Sequence, residues 1–173
     1  MKNTGFIDKT LLLEAGKTYD LEIVRIIKIP GPGRFFLGRD ANGLKHLIPV
    51  DHYHDYGIKI GDTVKCRLDR INCLGRFFFE PDHPVYERGK TYSFKLISFT
   101  VSYCNGDILD CRARVRDVFG REWNTHDIRI RQPLPEDIAS LSCHVYSLKK
   151  ARLFLQINDK RLSVITHSDM APD

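Results

Sequence analysis

An internal repeat is the feature that most constrains how this chain folds. The tetrapeptide Gly-Lys-Thr-Tyr occurs at 16–19 and again at 89–92. A duplicated module with small loop changes keeps its landmarks in order at a nearly constant offset, whereas chance matches scatter. The sequence therefore predicts two tandem modules. The other matching landmarks are Asp40-x-x-Gly43 with Asp117-x-x-Gly120, Cys66 with Cys143, and Arg76-Phe77-Phe78-Phe79 with Arg152-Leu153-Phe154-Leu155.

The 173 residues are enough for one ordinary domain or two small ones. We place the first module at 16–83 and the second at 84–158, because Pro81 and Pro84 interrupt strand pairing at the junction between them. Residues 1–15 are expected to form an N-terminal extension. Residues 159–173 show no clear periodicity and are expected to form a flexible C-terminal tail.

Both modules consist of short strand-like segments without a long amphipathic helix. Alternation over 19–29 is broken at Ile26-Ile27, which predicts a bulge, and Asp40-Ala41-Asn42-Gly43 predicts a hairpin turn. Five short antiparallel strands per module favour an all-β fold of two tandem Greek-key barrels of the oligonucleotide/oligosaccharide-binding (OB) kind, with a sandwich as the alternative. The other predicted strands are 34–39, 44–48, 63–71 and 76–80 in the first module, and 91–101, 108–117, 122–128, 141–148 and 153–157 in the second.

Composition excludes several classes of protein. With 42% hydrophobic and 28% charged residues the chain is typical of a soluble folded protein, and no apolar run approaches the roughly 20 residues of a membrane-spanning helix. The first residues lack the apolar core of a signal peptide. Five cysteines without a Cys-x-x-Cys pair disfavour a disulfide framework and a common zinc site. We therefore expect a cytoplasmic protein with no membrane association, no cofactor and no bound metal.

Several strings of the first module resemble the S1-type RNA-binding domain, and together they cover nearly all of that module. They are Gly33-Arg34-Phe35-Phe36-Leu37, Gly43-Leu44-Lys45-His46-Leu47-Ile48-Pro49, Ile60-Gly61-Asp62-Thr63-Val64 and Ile71-Asn72-Cys73-Leu74-Gly75-Arg76. The resemblance implies a five-stranded barrel that binds single-stranded RNA on the face of its second and third strands.

Carried over position by position, the resemblance assigns binding roles to residues of this chain. The stacking aromatic of the family falls on Phe35, its histidine on His46 and its arginine on Arg76. Asn72 replaces the family's aspartate, and Pro32 replaces an additional aromatic. One stacking platform is therefore missing.

The second module resembles the family more weakly and is interpreted as a divergent copy. Arg112 stands where Phe35 does, Trp123 where His46 does and Arg152 where Arg76 does. For Trp123, the only tryptophan, three roles remain open, namely anchoring a partner, stacking a base or filling an interface between modules.

Basic residues in strand alternation give a second indication of nucleic-acid binding. Arg112, Arg114 and Arg116 alternate with Ala113 and Val115, so a strand places the three guanidinium groups on one face. Single-strand binding needs such positive charge for phosphates, and the formal net charge of +5 is in keeping with it. The alternative is that this is only the solvated face of a half-exposed sheet.

Aromatic residues supply the stacking surface that bases need, and strand parity sorts them. Phe35 is expected on the surface beside Arg34, as a binding residue or as a packing residue between modules, and Phe36 in the core. Phe77, Phe78 and Phe79 cannot all face one way, and Phe78 is expected in the barrel interior.

Catalysis finds little support in the sequence. His52 and His54, flanked by Asp51 and Asp55, are the one cluster with metal-binding residue types, but no distant ligand has a recognisable spacing, so a solvated loop is preferred. We therefore expect a non-enzymatic protein that binds single-stranded RNA or DNA. The alternative is an OB-fold protein-interaction module without nucleic-acid binding. The expected nucleic-acid site comprises Arg34, Phe35, His46, Asn72, Arg76, Arg112, Arg114, Arg116, Trp123 and Arg152.

Overall fold

The structure, a computed structural model, describes residues 13–103, 109–130 and 138–162. The chain divides into two compact units, Met1–Pro84 and Val85–Asp173, at the end of the proline-containing junction. Each unit contains one sheet built from antiparallel strand pairs. Across the described ranges, no helix combines the length and the apolar character needed to cross a membrane.

The first unit is a five-stranded sheet with a short helical connection after its third strand. Its elements are β1 Thr18–Ile29, β2 Gly33–Arg39, β3 Lys45–Pro49, α1 Val50–Tyr53, a 3-10 helix His54–Tyr56, β4 Thr63–Ile71 and β5 Phe77–Pro81. The strand order is β3-β2-β1-β4-β5. These bounds agree with the predicted strands to within one or two residues.

The long first strand contains the predicted bulge, slightly earlier than Ile26-Ile27. The register of β1 with β2 shifts between Ile23 and Arg25. Leu21 and Ile23 therefore face the core before the bulge, whereas Arg25 is exposed after it. An extra residue of this kind increases the local twist, which helps the sheet to curl.

The two edge strands of the curled sheet, β3 and β5, contact each other through side chains. The ring of His46 lies 4.7 Å from that of Phe79 and 5.6 Å from that of Phe77, measured between centroids. The first sheet therefore curls towards a closed barrel around one core. That core includes Leu21, Ile23, Phe36, Ile48, Cys66, Leu68 and Phe79.

The described part of the second unit has six strands, where the sequence predicts five. They are β6 Thr91–Tyr103, β7 Leu109–Arg116, β8 Glu122–Asn124, β9 Ile128–Ile130, β10 Ser140–Lys149 and β11 Arg152–Ile157. Their order is β11-β10-β6-β7-β8, and β9 also pairs with β7. The predicted strand 122–128 is interrupted because Thr125 and His126 turn towards Leu155 of β11, through a parallel bridge and a backbone hydrogen bond of 2.8 Å.

The sequence repeat corresponds to repeated hydrogen bonds. The hydroxyl of Tyr19 accepts from the N–H of Glu14 at 2.7 Å, and the hydroxyl of Tyr92 accepts from the N–H of Glu87 at 2.9 Å. The two units also have equivalent strand pairs, Tyr19–Cys66 and Tyr92–Cys143, and equivalent bulges, at Leu68/Arg70 and Val145/Ser147. The fold class predicted from the sequence, all-β with tandem antiparallel barrels, is confirmed.

A buried aspartate organises the same hairpin turn in both units. Oδ1 of Asp40 accepts hydrogen bonds at 2.9 Å from the N–H groups of Asn42 and Leu44. Oδ1 of Asp117 does the same at 2.8 and 2.9 Å within its own turn. Gly43 and its counterpart in the second unit close these turns with φ of 83° and 80°, a region that side chains disfavour. The repeated Asp-x-x-Gly pattern is therefore one turn used twice.

The prediction that Phe78 fills the barrel is wrong. Phe79 is buried, whereas Phe78 is 37% exposed. Phe79 pairs with Leu68, and Phe78 pairs with Arg70 across the bulge in β4, which sets the parity of the whole run. The guanidinium of Arg70 lies 4.7 Å from the centre of the Phe78 ring.

The expected tail begins later than residue 159. Asp159 is buried, accepts from the N–H of Ser142 at 3.0 Å and pairs with Arg161 at 2.6 Å, while Leu162 packs in the core of the second unit. Residues 159–162 therefore belong to that unit. Residues 1–12 of the expected extension and 163–173 of the expected tail lie outside the described residues.

Candidate nucleic-acid interface

The outside of β1, β2 and β3 carries a set of apolar side chains, which we call the first outer face. Successive residues of a strand face opposite sides, and Phe36 and Gly38 are buried inside, so Phe35 and Leu37 must lie on the outside. Residues that pair directly across antiparallel strands share a face. Their rows comprise Ile27, Phe35 and Pro49, then Arg25, Leu37 and Leu47.

The first outer face is accessible and carries cations along its edge. Leu47 is 41% exposed and Phe35 and Leu37 are half-buried against their neighbours. Arg25 and Lys45 are exposed, and neither makes an ion pair with any residue that the structure describes. Bases and phosphates require such a combination of flat apolar surface and uncompensated positive charge.

Arg34 and His46 lie away from the first outer face. Arg34 is exposed but alternates with Phe35 along β2, so the two side chains project to opposite sides. His46 pairs with Gly38 on the inner side and is buried, at 6% exposed. The predicted group of Phe35, His46 and Arg34 is therefore not brought together on one surface.

His46 is held inside the barrel by the aspartate of the hairpin turn. Its Nε2 lies 2.9 Å from Oδ2 of Asp40, and both side chains are 4% exposed. Burial alone would raise the pKa of Asp40, but the hydrogen bonds from His46 and from two backbone N–H groups hold it below its ordinary value. His46 therefore connects the turn to the edge of β5.

Trp123 makes the equivalent contact in the second unit. Its indole N–H donates to Oδ2 of Asp117 at 2.7 Å, while its ring packs half-buried against the core of that unit. Trp123 and His46, which occupy equivalent positions in the repeat, therefore make the same contact with the aspartate of their turn. Both side chains point inwards and support that turn.

Asn72 and Arg76 lie at the turn between β4 and β5. The side-chain oxygen of Asn72 accepts from the N–H groups of Leu74 and Arg76 at 3.0 and 2.8 Å. Asn72 therefore stabilises the turn with its amide oxygen. Arg76 is exposed, and its guanidinium has no ion-pair partner in the described part of the chain.

The three arginines of β7 share one face, as predicted, but each is paired there. Arg112 makes two hydrogen bonds to Asp127, at 2.6 and 2.8 Å. Arg116 pairs with Glu122 at 2.8 Å, and Arg114 lies 3.7 Å from the same carboxylate. Ion pairing lowers the pKa values of both carboxyl groups, with the hydrogen bond from the arginine as the main cause.

A cleft of about 360 Å³ lies in the second unit where β8 meets β11. Arg112, Trp123 and Arg152 all contribute to its lining, so three predicted site residues meet here. Tyr146 and Phe154, which were not predicted from the sequence, also line it. The signal for Phe154 is its alignment with Phe78 in the repeat, but the exposure of Phe78 could not be predicted from strand parity.

The cluster around His52, expected as a solvated loop, forms α1 and the 3-10 helix that follows it. Nδ1 of His54 donates to the backbone carbonyl of Asp51 at 3.0 Å, and Nε2 of His54 lies 2.8 Å from the carboxylate of Asp55. Within the described residues no group of three metal-binding side chains converges.

Comparison with known proteins gives no assignment. No family model matches the chain, and no curated protein matches it in sequence.

Proposed function

We propose that the protein is a non-catalytic single-strand binder that takes up RNA on its first outer face. The observation that carries the proposal is the apolar group of Phe35, Leu37 and Leu47 on this face. Arg25 and Lys45 lie beside this group, and neither has an ion-pair partner among the described residues. The strings that resemble the S1-type domain support the same strands as the binding surface.

Single strands suit this face better than a duplex does. An unpaired base offers its flat surface to an aromatic ring, and such stacking is worth about 1–3 kcal/mol per base. A duplex hides those surfaces in its own stack. Phe35 is the aromatic of this face, and Leu37 and Leu47, which pair with each other in the adjacent row, extend the apolar area along β2 and β3.

Arg76 and Phe78 extend the proposed site towards β5. β3 and β5 contact each other through His46, so the outside of β5 continues the surface of β3. Phe78 is exposed there and Arg76 precedes the strand. A strand of RNA crossing from β2 to β5 would meet a second ring and a further cation.

The test is fluorescence anisotropy with labelled single-stranded RNA and DNA of about 15 nucleotides, at two salt concentrations, with a duplex control. We expect salt-dependent binding that prefers single strands. Phe35→Ala with Arg76→Ala should weaken it by about 2–4 kcal/mol with little change in melting temperature. Leu74→Ala is the matched control, because Leu74 is 75% exposed in the same unit but lies in the turn after β4.

A protein partner is the second candidate, and the aliphatic side chains of Leu37 and Leu47 favour it. An apolar face without nucleic-acid affinity is typical of interaction surfaces. Absence of binding to every oligonucleotide at low salt would overturn the RNA proposal and favour this one. A large fall in melting temperature without a change in binding would refute Phe35 and Arg76 as site residues.

A further inference from the structure

The cleft between β8 and β11 has aromatic walls. Trp123, His126, Tyr146 and Phe154 all line it. The Tyr146 ring lies 6.1 Å from that of Phe154 and 5.0 Å from that of His126, and the hydroxyl of Tyr146 is hydrogen-bonded to Nε2 of His126. Phe154 is 37% exposed, so its ring is accessible to a ligand.

The backbone around the cleft is fixed by hydrogen bonds. Thr125 is buried, its N–H donates to the carbonyl of Ala113 at 2.9 Å, and its hydroxyl accepts from the N–H of the same residue at 3.0 Å. The N–H of His126 donates to Leu155 at 2.8 Å. The walls are therefore built on strands and not on a loose loop, which favours a preformed site.

One arginine of the cleft lining lacks a counter-ion among the described residues. The lining contains two arginines, Arg112 and Arg152, and two carboxylates, Glu122 and Asp127. Both carboxylates are engaged by the arginines of β7. Arg152 is exposed and has no ion-pair partner among the described residues. The uncompensated charge therefore lies beside the aromatic rings.

We propose that this cleft binds one nucleoside monophosphate unit, with the base against Phe154 and Tyr146 and the phosphate at Arg152. The proposal rests on the proposed function and adds to it a second site, in the other unit. Aromatic rings recognise the base by stacking and a guanidinium recognises the phosphate.

The size of the cleft agrees with one nucleotide. Ligand pockets are typically about 300–1,000 Å³, and a volume of about 360 Å³ falls at the small end of that range. A free nucleotide and one nucleotide of an RNA strand present the same base and phosphate. The experiment must therefore separate these two sources.

Trp123 provides the measurement, because it is the only tryptophan and lines the cleft. We expect adenosine and uridine monophosphates, added to the full chain, to change its fluorescence in a saturable way. The nucleosides should act more weakly, and inorganic phosphate alone should have little effect. Short oligonucleotides that bind at least tenfold more tightly than the monophosphates would identify a strand as the source, and comparable affinities would identify the free nucleotide.

Two variants and a matched control test the named residues. Phe154→Ala and Arg152→Ala should each weaken monophosphate binding about fivefold or more. Gln156→Ala should not, because Gln156 lies on the same exposed side of β11 but does not line the cleft. Unchanged melting temperatures exclude misfolding, and Arg152→Lys should restore part of the affinity if the phosphate contact is electrostatic.

The outcomes also separate this proposal from the first. Saturable monophosphate binding that persists in Phe35→Ala and is lost in Phe154→Ala supports the cleft as an independent site. No fluorescence change with any monophosphate, or a change that survives both Phe154→Ala and Arg152→Ala, overturns the cleft proposal. If the cleft proposal fails but RNA binding remains sensitive to Phe35→Ala, the first outer face remains the proposed RNA site. If no RNA binding is observed at all, both proposals are refuted.

Discussion

The first outer face and its counterpart in the second unit are formed by equivalent strands, but they carry different side chains. The counterpart, the outside of β6, β7 and β8, is here called the second outer face. Phe35 and Leu37 occupy the positions of Arg112 and Arg114, and Leu47 that of Asn124. The first face carries its apolar side chains beside the Arg39–Glu22 ion pair and two cations, Arg25 and Lys45, that have no ion-pair partner among the described residues. The rows of the second face comprise Lys95, Arg116 and Glu122, then Ser98, Arg114 and Asn124, then Thr100 and Arg112.

This difference shows that the number of arginines on a face does not measure its free positive charge. The three arginines of β7 make the most conspicuous basic pattern in the sequence, but Asp127 and Glu122 already form ion pairs with them. An arginine that must first leave a carboxylate gains less from a phosphate than an unpaired one does. Exposed ion pairs of this kind contribute little to stability, so their effect is mainly to compensate charge.

Core truncations should have the largest effect and should be alike in the two units, because the inner sides are equivalent. Phe79→Ala is expected to lower the free energy of unfolding of its unit by about 3–5 kcal/mol, and Leu155→Ala by about 2–5 kcal/mol. Both side chains are buried on the last strand of their sheet. Phe78→Ala should cost less than about 1 kcal/mol. Chemical denaturation measures all three, and a larger loss for Phe78→Ala than for Phe79→Ala would reverse the assigned parity.

The turn aspartates should come next and should again be alike. Asp40→Ala and Asp117→Ala each remove a buried carboxylate that accepts two backbone hydrogen bonds and one from a side chain. We expect each to destabilise its unit by about 2–3 kcal/mol in denaturant unfolding. Equal losses support a common turn, and a loss confined to one unit would contradict it.

The pH dependence of stability should distinguish Asp40 from a neutral replacement. The folded pKa of Asp40 lies below its ordinary value of 3.8, so its ionised form stabilises the fold above that value and the contribution disappears as pH falls through the folded pKa. The stability difference between the natural chain and Asp40→Asn should therefore shrink between about pH 5 and pH 2. Thermal melts across that range provide the measurement, and a constant difference would argue against the depressed pKa.

The smallest expected effect is on the salt dependence of RNA binding. Arg25→Gln and Lys45→Gln should each reduce the slope of log K against log salt by about 0.7 if each contacts one phosphate. Arg116→Gln serves as the control and should leave the slope unchanged, since its charge is already paired with Glu122. The opposite result would transfer the proposed RNA site to the second outer face.

Local patterns predicted most of the fold. The Asp-x-x-Gly turn and the alternation of each strand depend on near neighbours in sequence, and the equivalence of Cys66 and Cys143 follows from the repeat. The bulge between Leu68 and Arg70 could not be placed, because it depends on which residues of β4 and β5 pair, and this is why the parity of Phe78 was predicted wrongly.

The candidate sites could be predicted only in part, because they depend on register across strands. Phe35 was correctly expected on the outside of β2. The ion pair of Arg112 with Asp127 could not be predicted, because it joins residues from different segments of the chain. The inward position of His46 does have a signal in the sequence. The spacing from Asp40 to His46 is the same as that from Asp117 to Trp123, which marks both as partners of the turn.

The turn aspartates have a consequence for how such a chain can change over generations. Asp40 and Asp117 hold the hairpin from inside, so neither depends on what projects from the outside of β2 or β7. A substitution at the position of Phe35 or Arg112 therefore leaves the scaffold intact and alters only what it touches. After duplication, the outer face of one copy can therefore change while the other copy keeps its own, so the two outer faces can diverge without loss of the fold.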